Sequence, residues 1–550
     1  MNLKQSYLKS WLEEEIVKDT IVLIVKEVAF FEKFLSVNPS LKRMKQYLID
    51  SFDSAENIEW LGKAEYVISD TELPTFFAKK AGQIYIQILH TENYNANFKR
   101  LLLHADYIIE QNNLEILTEN FKKLIPGQIL PVDNYSFFEC KKKPVTKKSK
   151  KIIVMYCGGF KNNGITSSAL NLMRNLNKEK YQIVVIEAEN LSYYEQLNFN
   201  KIPAHVVKVQ IPGDIIIFPN EEQAFLDFHS HPLEHLMKNG PTKFLTEEIK
   251  AIYQREWNRV LGNISVDIAL DFDGYFKYWT LLLASSNSPK KIIYQHNEMM
   301  QEYSKKLGKE FKHQADLNII FPVYNYFDVI VSVSKQTGEV NKQHLEHIVQ
   351  DTSKMTYIHN LIDYEYILRS SKEASDIDLS ADTFNFVTMG RLSPEKNHQG
   401  LIKAFHQLQK KRADSQLFII GLGELEEELK QYIIDLELEN KVHILGQLEN
   451  PFPVLKACDA FVLSSIHEGQ PMVLLECLVL EKKIVSTNIP GSYSLLKNGY
   501  GLLVDSTVEG LAEGMEKVML GYNDFKQFDY KAYNRTARQM LEDVLEKEWK

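Results

Sequence analysis

The segment EGQPMVLLE, Glu468–Glu476, places a carboxylate on either side of a predicted helix start. Pro471 suits the first position of a helix, because its missing N–H costs nothing there. The backbone amides that would form an anion-attracting helix N-terminus are those of Gly469, Gln470, Met472 and Val473. Glu476 would lie about 7.5 Å along the helix from Pro471, at a rise of about 1.5 Å per residue. The segment therefore predicts a phosphate-binding helix end flanked by two groups that can bind hydroxyls.

Two further loops carry matching chemistry. GRLSPEKN, Gly390–Asn397, supplies Arg391, which can bind phosphate oxygens in pairs, and Lys396, which adds a compact positive charge. GLGE, Gly421–Glu424, permits a tight turn and a close approach to a ligand. Taken singly, the two cations could be surface charges and the glycines a simple connection. The three loops together indicate a nucleotide sugar, with ribose on one side of a diphosphate and the transferred sugar on the other.

The elements that must position these loops alternate between strands and helices. A first series of short apolar runs comprises Ile152–Tyr156, Ile183–Glu187, Val206–Val209, Ile268–Asp271, Lys291–Tyr294 and Val329–Val333. A second series comprises Phe386–Met389, Gln416–Ile420, Val442–Leu445, Ala460–Leu463 and Lys483–Ser486. Such alternation predicts parallel, doubly wound sheets, in which ligands bind at the carboxyl ends of strands. We expect two such domains, at 152–340 and 341–522, facing each other across a cleft.

Three other segments complete the predicted organisation. Residues 1–140 form an N-terminal α/β extension with two short strand-like runs, Tyr66–Ser69 and Ile84–Leu89. KKKPVTKKSKK, Lys141–Lys151, is expected to be a solvated linker. Its lysines could instead contact an anionic membrane surface, at about 1 kcal/mol per residue. Residues 523–550 contain an amphipathic helix that we expect to pack back on the first of the two doubly wound domains.

Composition excludes several classes of protein. The 550 residues carry a net charge of −9, so no overall cationic field favours nucleic acid as a partner. The four cysteines lack CxxC spacing, which disfavours disulfides and structural zinc and favours a reducing compartment. The start of the chain does not have the pattern of a signal peptide, and its best apolar stretch is interrupted by charges. We therefore expect a cytoplasmic protein, with the inner face of the cell membrane as its possible place of work.

From about Ile152 to its end, the chain resembles the family-4 retaining glycosyltransferases of the GT-B fold. The resemblance rests on the E-x7-E element from Glu468 to Glu476, on GRLSPEKN and on STNIPGSYSLLKNGYGLLV. It implies that Glu468 contacts the donor sugar, that Glu476 binds the ribose hydroxyls, and that Arg391 and Lys396 hold the diphosphate and stabilise the leaving group.

The same resemblance implies a nucleotide-sugar co-substrate, expected to be a UDP-sugar, with no metal ion and no other cofactor. The sequence DFDGY contains Asp271 and Asp273, which mimic a DxD metal motif. In a GT-B protein this pair is expected to shape the acceptor side instead, and Asp273 is an acceptor-side candidate. Asn360 and Asp363, in HNLID, match the usual start of the second domain.

Two loops of the first doubly wound domain complete the predicted site. CGGFKNNGITSS contains Gly158, Gly159 and Gly164, which would let the backbone come near the donor phosphates across the cleft. YQHNEM places His296 just after a strand, as the candidate polar group near the reacting sugar, and Asn297 beside it as an acceptor-side candidate. An ordinary loop histidine is an equally good interpretation of His296.

The sequence of this first domain, in segments such as CGGFKNNGITSS, DFDGY and YQHNEM, most resembles glycosyltransferases found with teichoic-acid polymerases of Gram-positive bacteria. Residues 64–113 also resemble the first half of CDP-glycerol glycerophosphotransferases. They depart from that family at Leu89, His90 and Thr91, where it has Trp-His-Gly, and no matching second half follows. Residues 1–140 are therefore interpreted as a degenerate remnant that serves docking or acceptor binding.

Three functional hypotheses follow. The first is a retaining transferase that adds a hexose or N-acetylhexosamine to a teichoic-acid-like or capsular polymer, or to its lipid-linked precursor. The second is a polyol-phosphate transferase that uses the N-terminal region. The third is a non-catalytic GT-B partner of a polymer synthase, which the presence of all four donor-site residues disfavours. The oligomeric state is left open.

Overall fold

The computed structural model describes residues 150–547 apart from 212–213, 263, 308, 376 and 378–381. Before them it describes residues 7, 10–11, 15–26, 32, 34–36, 38–80, 82–89, 95–110, 125 and 128–131. His90 and most of the lysine-rich segment, residues 141–149, lie outside the described residues.

The first unit, called the N-terminal unit, is built on a six-stranded parallel sheet. Its strands are β1 Val17–Ile24, β2 Lys45–Leu48, β3 Ala64–Ser69, β4 Ile84–Leu89, β5 Tyr107–Glu110 and β6 Gln128–Pro131. They lie in the order β2-β1-β3-β4-β5-β6. Only β3 and β4 were expected from the sequence. In β1, Val17, Lys18 and Asp19 are exposed and only Thr20 to Ile24 are buried, so the charges at its start obscure the strand pattern.

The middle unit contains seven parallel strands. They are β7 Lys151–Tyr156, β8 Tyr181–Ala188, β9 Val207–Ile211, β10 Ile268–Asp271, β11 Lys290–Gln295, β14 Val329–Ser332 and β15 Met355–Tyr357. Their order is β15-β14-β11-β10-β7-β8-β9, and a hairpin, β12 Lys306–Leu307 with β13 Glu310–Phe311, stands apart. The chain leaves β7 in one direction and returns to β10 on the other side, so the β7/β10 junction is a topological switch point.

The C-terminal unit repeats this plan with six parallel strands. They are β16 Phe384–Met389, β17 Ser415–Ile420, β18 Val442–Gly446, β19 Ala460–Leu463, β20 Lys483–Thr487 and β21 Leu502–Val504, in the order β18-β17-β16-β19-β20-β21. The switch point lies between β16 and β19. The loops that leave these two strands are the ones that carry Arg391, Lys396 and Glu468.

Helices cover the three sheets. In the N-terminal unit they are α1 Pro39–Lys42, α2 Ala55–Lys63 and α3 Ala96–Leu102. In the middle unit they are α4 Gly164–Asn175, α5 Tyr193–Asn200, α6 Glu222–Ser230, α7 Pro232–Asn239, α8 Glu247–Leu261, α9 Lys277–Ala284, α10 Met299–Ser304, α11 Gln314–Val323 and α12 Lys335–Leu345. The remainder are α13 Tyr364–Ser370, α14 His398–Gln409, α15 Glu426–Asp435, α16 Phe452–Ala457, α17 Met472–Val479, α18 Pro490–Leu496, α19 Val508–Met519 and α20 Tyr530–Glu546.

The N-terminal and middle units share one apolar core. Buried side chains of both, such as Phe77 and Leu102 on one side and Trp257 on the other, belong to a single cluster. Gly262 permits the closest approach, because a Cβ there would lie 2.3 Å from the carbonyl oxygen of Leu103. Apolar burial of this kind is the main favourable term in folding, so the N-terminal unit is a fixed part of the fold.

The last helix, α20, returns to the middle unit. Ala537, Leu541 and Leu545 on its inner face are buried in the core that includes Ile153 of β7. Lys290 Nζ donates to the carbonyls of α20 at its end, at 2.7 and 2.9 Å, which is the favourable place for a cation on a helix. None of the helices that the structure describes has the length and apolar character needed to cross a bilayer.

Candidate active site

The loops after β16 and β19 meet at the switch point of the C-terminal unit. The Lys396 ammonium forms an ion pair with the Glu468 carboxylate, although the two residues are 72 positions apart. Ser465 Oγ donates to the same carboxylate at 2.8 Å, and Ser464 Oγ donates to the Lys396 carbonyl at 2.8 Å. Since the Lys396 side chain is only 21% exposed, it is not a free surface charge.

Glycines allow these loops to approach each other. A Cβ on Gly421, whose φ is +146°, would lie 2.0 Å from the carbonyl oxygen of Gly390. No side chain fits there, so Gly421 holds the β17 loop against the β16 loop. GLGE is therefore more than a connection between a strand and a helix. The close contact that requires Gly421 is with the β16 loop, not with a ligand.

Helix α17 begins one residue later than predicted, at Met472, with Pro471 at the capping position. Pro471 has φ −70° and an extended ψ of 111°, as a residue before a helix requires. The amides of Met472 and Val473 therefore belong to the first turn of α17. Every residue from Leu474 to Val479 is buried, because the helix lies between the sheet of the C-terminal unit and the middle unit.

Glu476 is a carboxyl in the middle of this buried helix. It is 9% exposed, and burial raises its pKa to about 7. Within the described part of the chain, no hydrogen bond or ion pair to the Glu476 side chain is found. A buried carboxyl without a partner is unfavourable unless a ligand supplies donors, so Glu476 is available for two hydroxyls of a bound molecule.

The loop after β7 faces α17 from the middle unit. Gly164 is the first residue of α4, and a Cβ there would lie 3.8 Å from Met472 Cγ, so the N-termini of α4 and α17 adjoin. Gly158 is needed for a different reason, because a Cβ would lie 2.2 Å from Asp273 Oδ1. The Gly159 N–H donates to the buried Glu187 carboxylate at 3.1 Å, and the approach of its backbone to the donor phosphates stays a prediction.

Gly469 is a point of close contact between the middle and C-terminal units. A Cβ on Gly469 would lie 1.9 Å from the carbonyl oxygen of His296 and 3.2 Å from Cα of Asn297. Thr337 Oγ1 of the middle unit donates to the Gly469 carbonyl at 3.2 Å. The segment that carries Glu468 is thus held against the strand end that carries His296.

His296 is held as a neutral imidazole. Its Nε2–H donates to the carbonyl of Phe272, which leaves Nδ1 as an acceptor. Burial lowers the pKa of His296 to about 4, and the ring lies against Phe272 and Tyr294. His296 is therefore neither a cation nor an acid near neutral pH, and the chemistry open to it is acceptance of a hydrogen bond from a hydroxyl.

The two aspartates of DFDGY differ in their surroundings. Asp271 is saturated: it accepts from Thr280 Oγ1 at 2.5 Å and from the amides of Gly274 and Asp273 at 2.9 and 3.2 Å. Asp273 accepts from the amide of Tyr275 at 3.0 Å, and burial together with the Asp271 carboxylate raises its pKa. Asp271 therefore shapes the turn, and Asp273 is the one with acceptor capacity to spare. No cluster of metal-ligating side chains is found among the described residues.

The side chain of Gln470 connects the two units, a role that was not predicted. Its side chain accepts from the Asn360 amide at 2.9 Å and contacts His359 Nδ1 at 3.1 Å. Asn360 in turn accepts from Ser168 Oγ at 2.6 Å. The Gln470 side chain therefore fastens the start of α17 to the segment that connects the two units, and only its backbone is left for a ligand.

Three charged residues of the site were not predicted. Glu395 accepts from Arg391 at 3.0 Å and from Lys305 of the middle unit at 3.0 Å. Lys305 lies 3.8 Å from Glu302, whose carboxylate also accepts from Asn297 Nδ2 at 2.8 Å. Glu395 was visible in GRLSPEKN as an acid between two cations. Lys305 and Glu302 gave no signal, because only the folded chain brings them to this loop.

Comparison with known proteins gives a family match for the donor-side segment. Residues 371–535 match the family described as "Glycosyl transferases group 1". An uncharacterised glycosyltransferase of Methanocaldococcus jannaschii is 28% identical over 37% of this chain and 49% of its own length. A Campylobacter jejuni enzyme, named as a 4-alpha-N-acetylgalactosaminyltransferase of N-acetylgalactosamine-N,N'-diacetylbacillosaminyl-diphospho-undecaprenol, is 29% identical over 56% and 83%.

A third relative, the Escherichia coli UDP-Gal:alpha-D-GlcNAc-diphosphoundecaprenol alpha-1,3-galactosyltransferase, is 31% identical over 29% of this chain and 44% of its own length. The chain thus spans about half the length of two of these curated relatives. All three relatives carry the name of a glycosyltransferase, the enzyme class predicted from the sequence.

Solved structures with the same fold include Anabaena HepE in complex with UDP and glucose, with a TM-score of 0.51 and 16% identity. S. aureus TarM, in complex with fondaparinux, alpha-GlcNAc-glycerol and UDP, gives a TM-score of 0.51 and 12% identity. Each likeness covers 72% of this chain and the whole of the other chain. The predicted GT-B fold class is confirmed.

Proposed function

We propose that this chain, whose residues 371–535 match glycosyl transferases group 1, is a retaining glycosyltransferase. Its donor is a nucleotide sugar, expected to be a UDP-sugar, and the transferred group is a hexose or N-acetylhexosamine. The acceptor is a cell-wall or surface polymer, teichoic-acid-like or capsular, or the lipid-linked precursor of one. The work takes place at the cytoplasmic face of the membrane.

One observation carries the proposal: Glu476 is buried on α17 with no partner among the residues that the structure describes, and the Lys396–Glu468 pair lies at the start of the same helix. A helix N-terminus attracts phosphate, and each carboxylate can accept from hydroxyls. A ligand with a diphosphate between ribose and a sugar satisfies the whole arrangement. Ribose hydroxyls at Glu476 would give its carboxyl the donors that it lacks in the protein.

Arg391, Lys396 and the start of α17 support departure of the nucleotide. As the bond between the anomeric carbon and the diphosphate breaks, negative charge develops on the leaving oxygens. Fixed cations and amides aimed at that charge stabilise the transition state more than the ground state, which lowers the barrier. The acceptor hydroxyl forms the new bond on the same face of the sugar, and its proton passes to the departing phosphate oxygen.

Residues of the middle unit would hold the two sugars. His296 offers only an acceptor nitrogen, so it would bind a hydroxyl of the donor sugar rather than transfer a proton. Asp273 and Asn297 lie at the ends of the neighbouring strands β10 and β11, on the acceptor side. The named acceptors of the C. jejuni and E. coli relatives, both linked to diphospho-undecaprenol, support a lipid-linked acceptor.

Substitution of the donor site tests the proposal. Glu476→Ala and Lys396→Ala should each abolish sugar transfer while the protein stays folded. Lys411→Ala is the matched control, because Lys411 pairs with Glu516 on the exposed surface of the same unit. UDP, GDP and CDP should be compared first by thermal stabilisation, since a bound ligand raises the unfolding temperature by mass action. Full transfer activity in either donor-site variant would contradict the proposal.

A further inference from the structure

A chain of charges crosses the cleft beside the predicted phosphate site. Its centre is Glu395, whose Oε1 lies 3.0 Å from Arg391 Nη2 in its own loop and 3.0 Å from Lys305 Nζ in the middle unit. The Glu395 side chain is 14% exposed and that of Lys305 is 22% exposed. Two cations from two units therefore share one largely buried carboxylate oxygen.

Lys305 is itself held in place within the middle unit. Glu302 lies 3.8 Å from Lys305 Nζ, and its own side chain is 5% exposed. Asn297 Nδ2 donates to Glu302 at 2.8 Å. The ring nitrogens of His313, in the middle unit, and His467, beside Glu468, lie 3.8 and 3.7 Å from the same carboxylate.

The charge state of Glu395 is fixed by these neighbours. Burial alone would raise its pKa, but the Lys305 ammonium, the backbone N–H and the Arg391 guanidinium together hold the pKa at about 2. Glu395 is thus an anion throughout the physiological range. Removal of one partner of a buried pair is unfavourable because it leaves the other charge uncompensated.

Arg391 has two demands on its guanidinium. In this structure it binds Glu395, whereas a bound diphosphate would require its donors for phosphate oxygens. If Glu395 had no second partner, the departure of Arg391 would strand a buried carboxylate. Lys305 removes that penalty, because its ammonium already neutralises the same oxygen from across the cleft.

We propose that Lys305 is a positioning residue for donor binding: it holds Glu395 from the middle unit, so that Arg391 can turn to the diphosphate. This inference rests on the proposed donor role of Arg391. The same contact joins the two units beside the site.

Calorimetric titration of the full chain with UDP tests this role without requiring turnover. Lys305→Met should weaken UDP binding roughly tenfold, and Lys305→Arg should keep it within about threefold of the native protein. In the double variant with Glu395→Gln, the carboxylate that Lys305 neutralises is gone, and binding should return to within about threefold of Glu395→Gln alone. That recovery is specific to a role through Glu395.

Lys335→Met is the matched control, since Lys335 pairs with Glu339 at 3.8 Å on the exposed surface of the middle unit, and it should bind UDP like the native protein. Unfolding temperatures of all variants identify any loss of fold, and Lys305→Arg keeps the test valid if Lys305→Met misfolds. Equal UDP affinity of native protein and Lys305→Met, or no recovery in the double variant, overturns the inference alone. A native protein that binds none of UDP, GDP and CDP overturns the proposed function with it.

Discussion

The middle unit is joined to its two neighbours by interfaces of opposite character. Towards the N-terminal unit it shares one continuous apolar core, in which the charges are buried and satisfied. Arg259 is 1% exposed and binds Glu256 through two nitrogens, at 2.7 and 2.5 Å. Arg100, fully buried, donates to the Arg259 carbonyl at 3.1 Å and to the Phe77 carbonyl at 2.8 Å.

Towards the C-terminal unit the contacts near the site are polar and local. They include the Gly469 approach, the Lys305–Glu395 pair and a few hydrogen bonds around Asn360. Glu476, in the wall of this cleft, has no partner among the described residues. Apolar interfaces of large area fix two units, whereas polar ones permit relative motion. The N-terminal interface therefore fixes two units, whereas the polar contacts near the site leave room for relative motion of the other two.

The largest effect is expected at the fixed interface. Arg259→Met would leave the buried Glu256 carboxylate without its cation and with only the Tyr278 hydroxyl as a donor, which should cost about 3–5 kcal/mol of unfolding free energy. Urea unfolding measures the loss. Lys250→Met is the control: Lys250 pairs with Glu247 in the same helix at the same spacing, but Glu247 is 91% exposed, so a change within about 1 kcal/mol is expected. Equal losses in both variants would mean that burial of the Arg259–Glu256 pair beside the N-terminal unit adds nothing to its contribution.

The unpartnered carboxyl of the cleft predicts a pH dependence. Burial raises the pKa of Glu476 from 4.5 to about 7 in the folded protein. Between these values the folded state binds more protons than the unfolded state, so stability falls as pH rises, by about 3 kcal/mol in total. Glu476→Gln should lack this term. The difference in unfolding free energy between native protein and Glu476→Gln should therefore shift between pH 4.5 and 7.

Glu509→Gln, an exposed substitution in the same unit, serves as the control for that measurement. Its difference from the native protein should stay constant over the same pH range. A constant difference for Glu476→Gln as well would mean that the Glu476 carboxyl has a partner in solution.

A matched pair of glycines contrasts the two interfaces directly. Gly469→Ala would push the cleft apart at His296 and should lower kcat/KM about 100-fold, because small misplacements of reacting groups are that costly, with little change in unfolding temperature. Gly262→Ala would instead press on Leu103 inside the shared core and should lower the unfolding temperature. Gly338→Ala, with ordinary contacts only, is the control for both. The comparison fails if both interface variants lose stability alike.

The smallest effect is expected where the chain passes between the middle and C-terminal units. Tyr533→Phe removes a hydroxyl that donates to the Asn360 carbonyl at 3.1 Å. A single such hydrogen bond is worth about 1 kcal/mol. Unfolding free energy should fall by that amount and transfer should change by less than about tenfold. A loss of transfer activity as large as that of Gly469→Ala would show that the Tyr533–Asn360 contact matters to the site as much as the Gly469 contact does.

The donor side of the site could be anticipated because its chemistry is contiguous. Glu468 and Glu476 lie in one segment, and Arg391 and Lys396 in another, each in the loop or helix that follows a largely apolar strand. The Ala460–Leu463 and Ile268–Asp271 strands have the predicted bounds for the same reason. Helix α17 could be misplaced by one residue because proline tolerates both the cap and the first turn.

Other features depend on contacts between distant parts of the chain. The engagement of Gly159 by Glu187, and the Lys305–Glu395 pair, join residues 28 and 90 positions apart. Only two of the six strands of the N-terminal unit were predicted, because strands such as β1 and the exposed β2 carry charged residues. The shared core also changes the design of truncations: removal of residues 1–140 would uncover apolar surface of the middle unit, so point substitutions are the cleaner probes.

The return of α20 to the middle unit means that the polypeptide passes between the middle and C-terminal units twice. The two passages are bonded to each other: the Ile362 amide donates to Asn534 Oδ1 at 3.0 Å, and the Tyr533 hydroxyl donates to the Asn360 carbonyl. Two connecting segments that are bonded to each other restrict the relative motion of the units more than a single connecting segment would. Translation and twist are suppressed, and a swing about the line from Asn360 to Asn534 is what remains. The distance between two labels placed across the mouth of the cleft, far from that line, should change as the cleft opens. The distance between two labels near the line should stay constant.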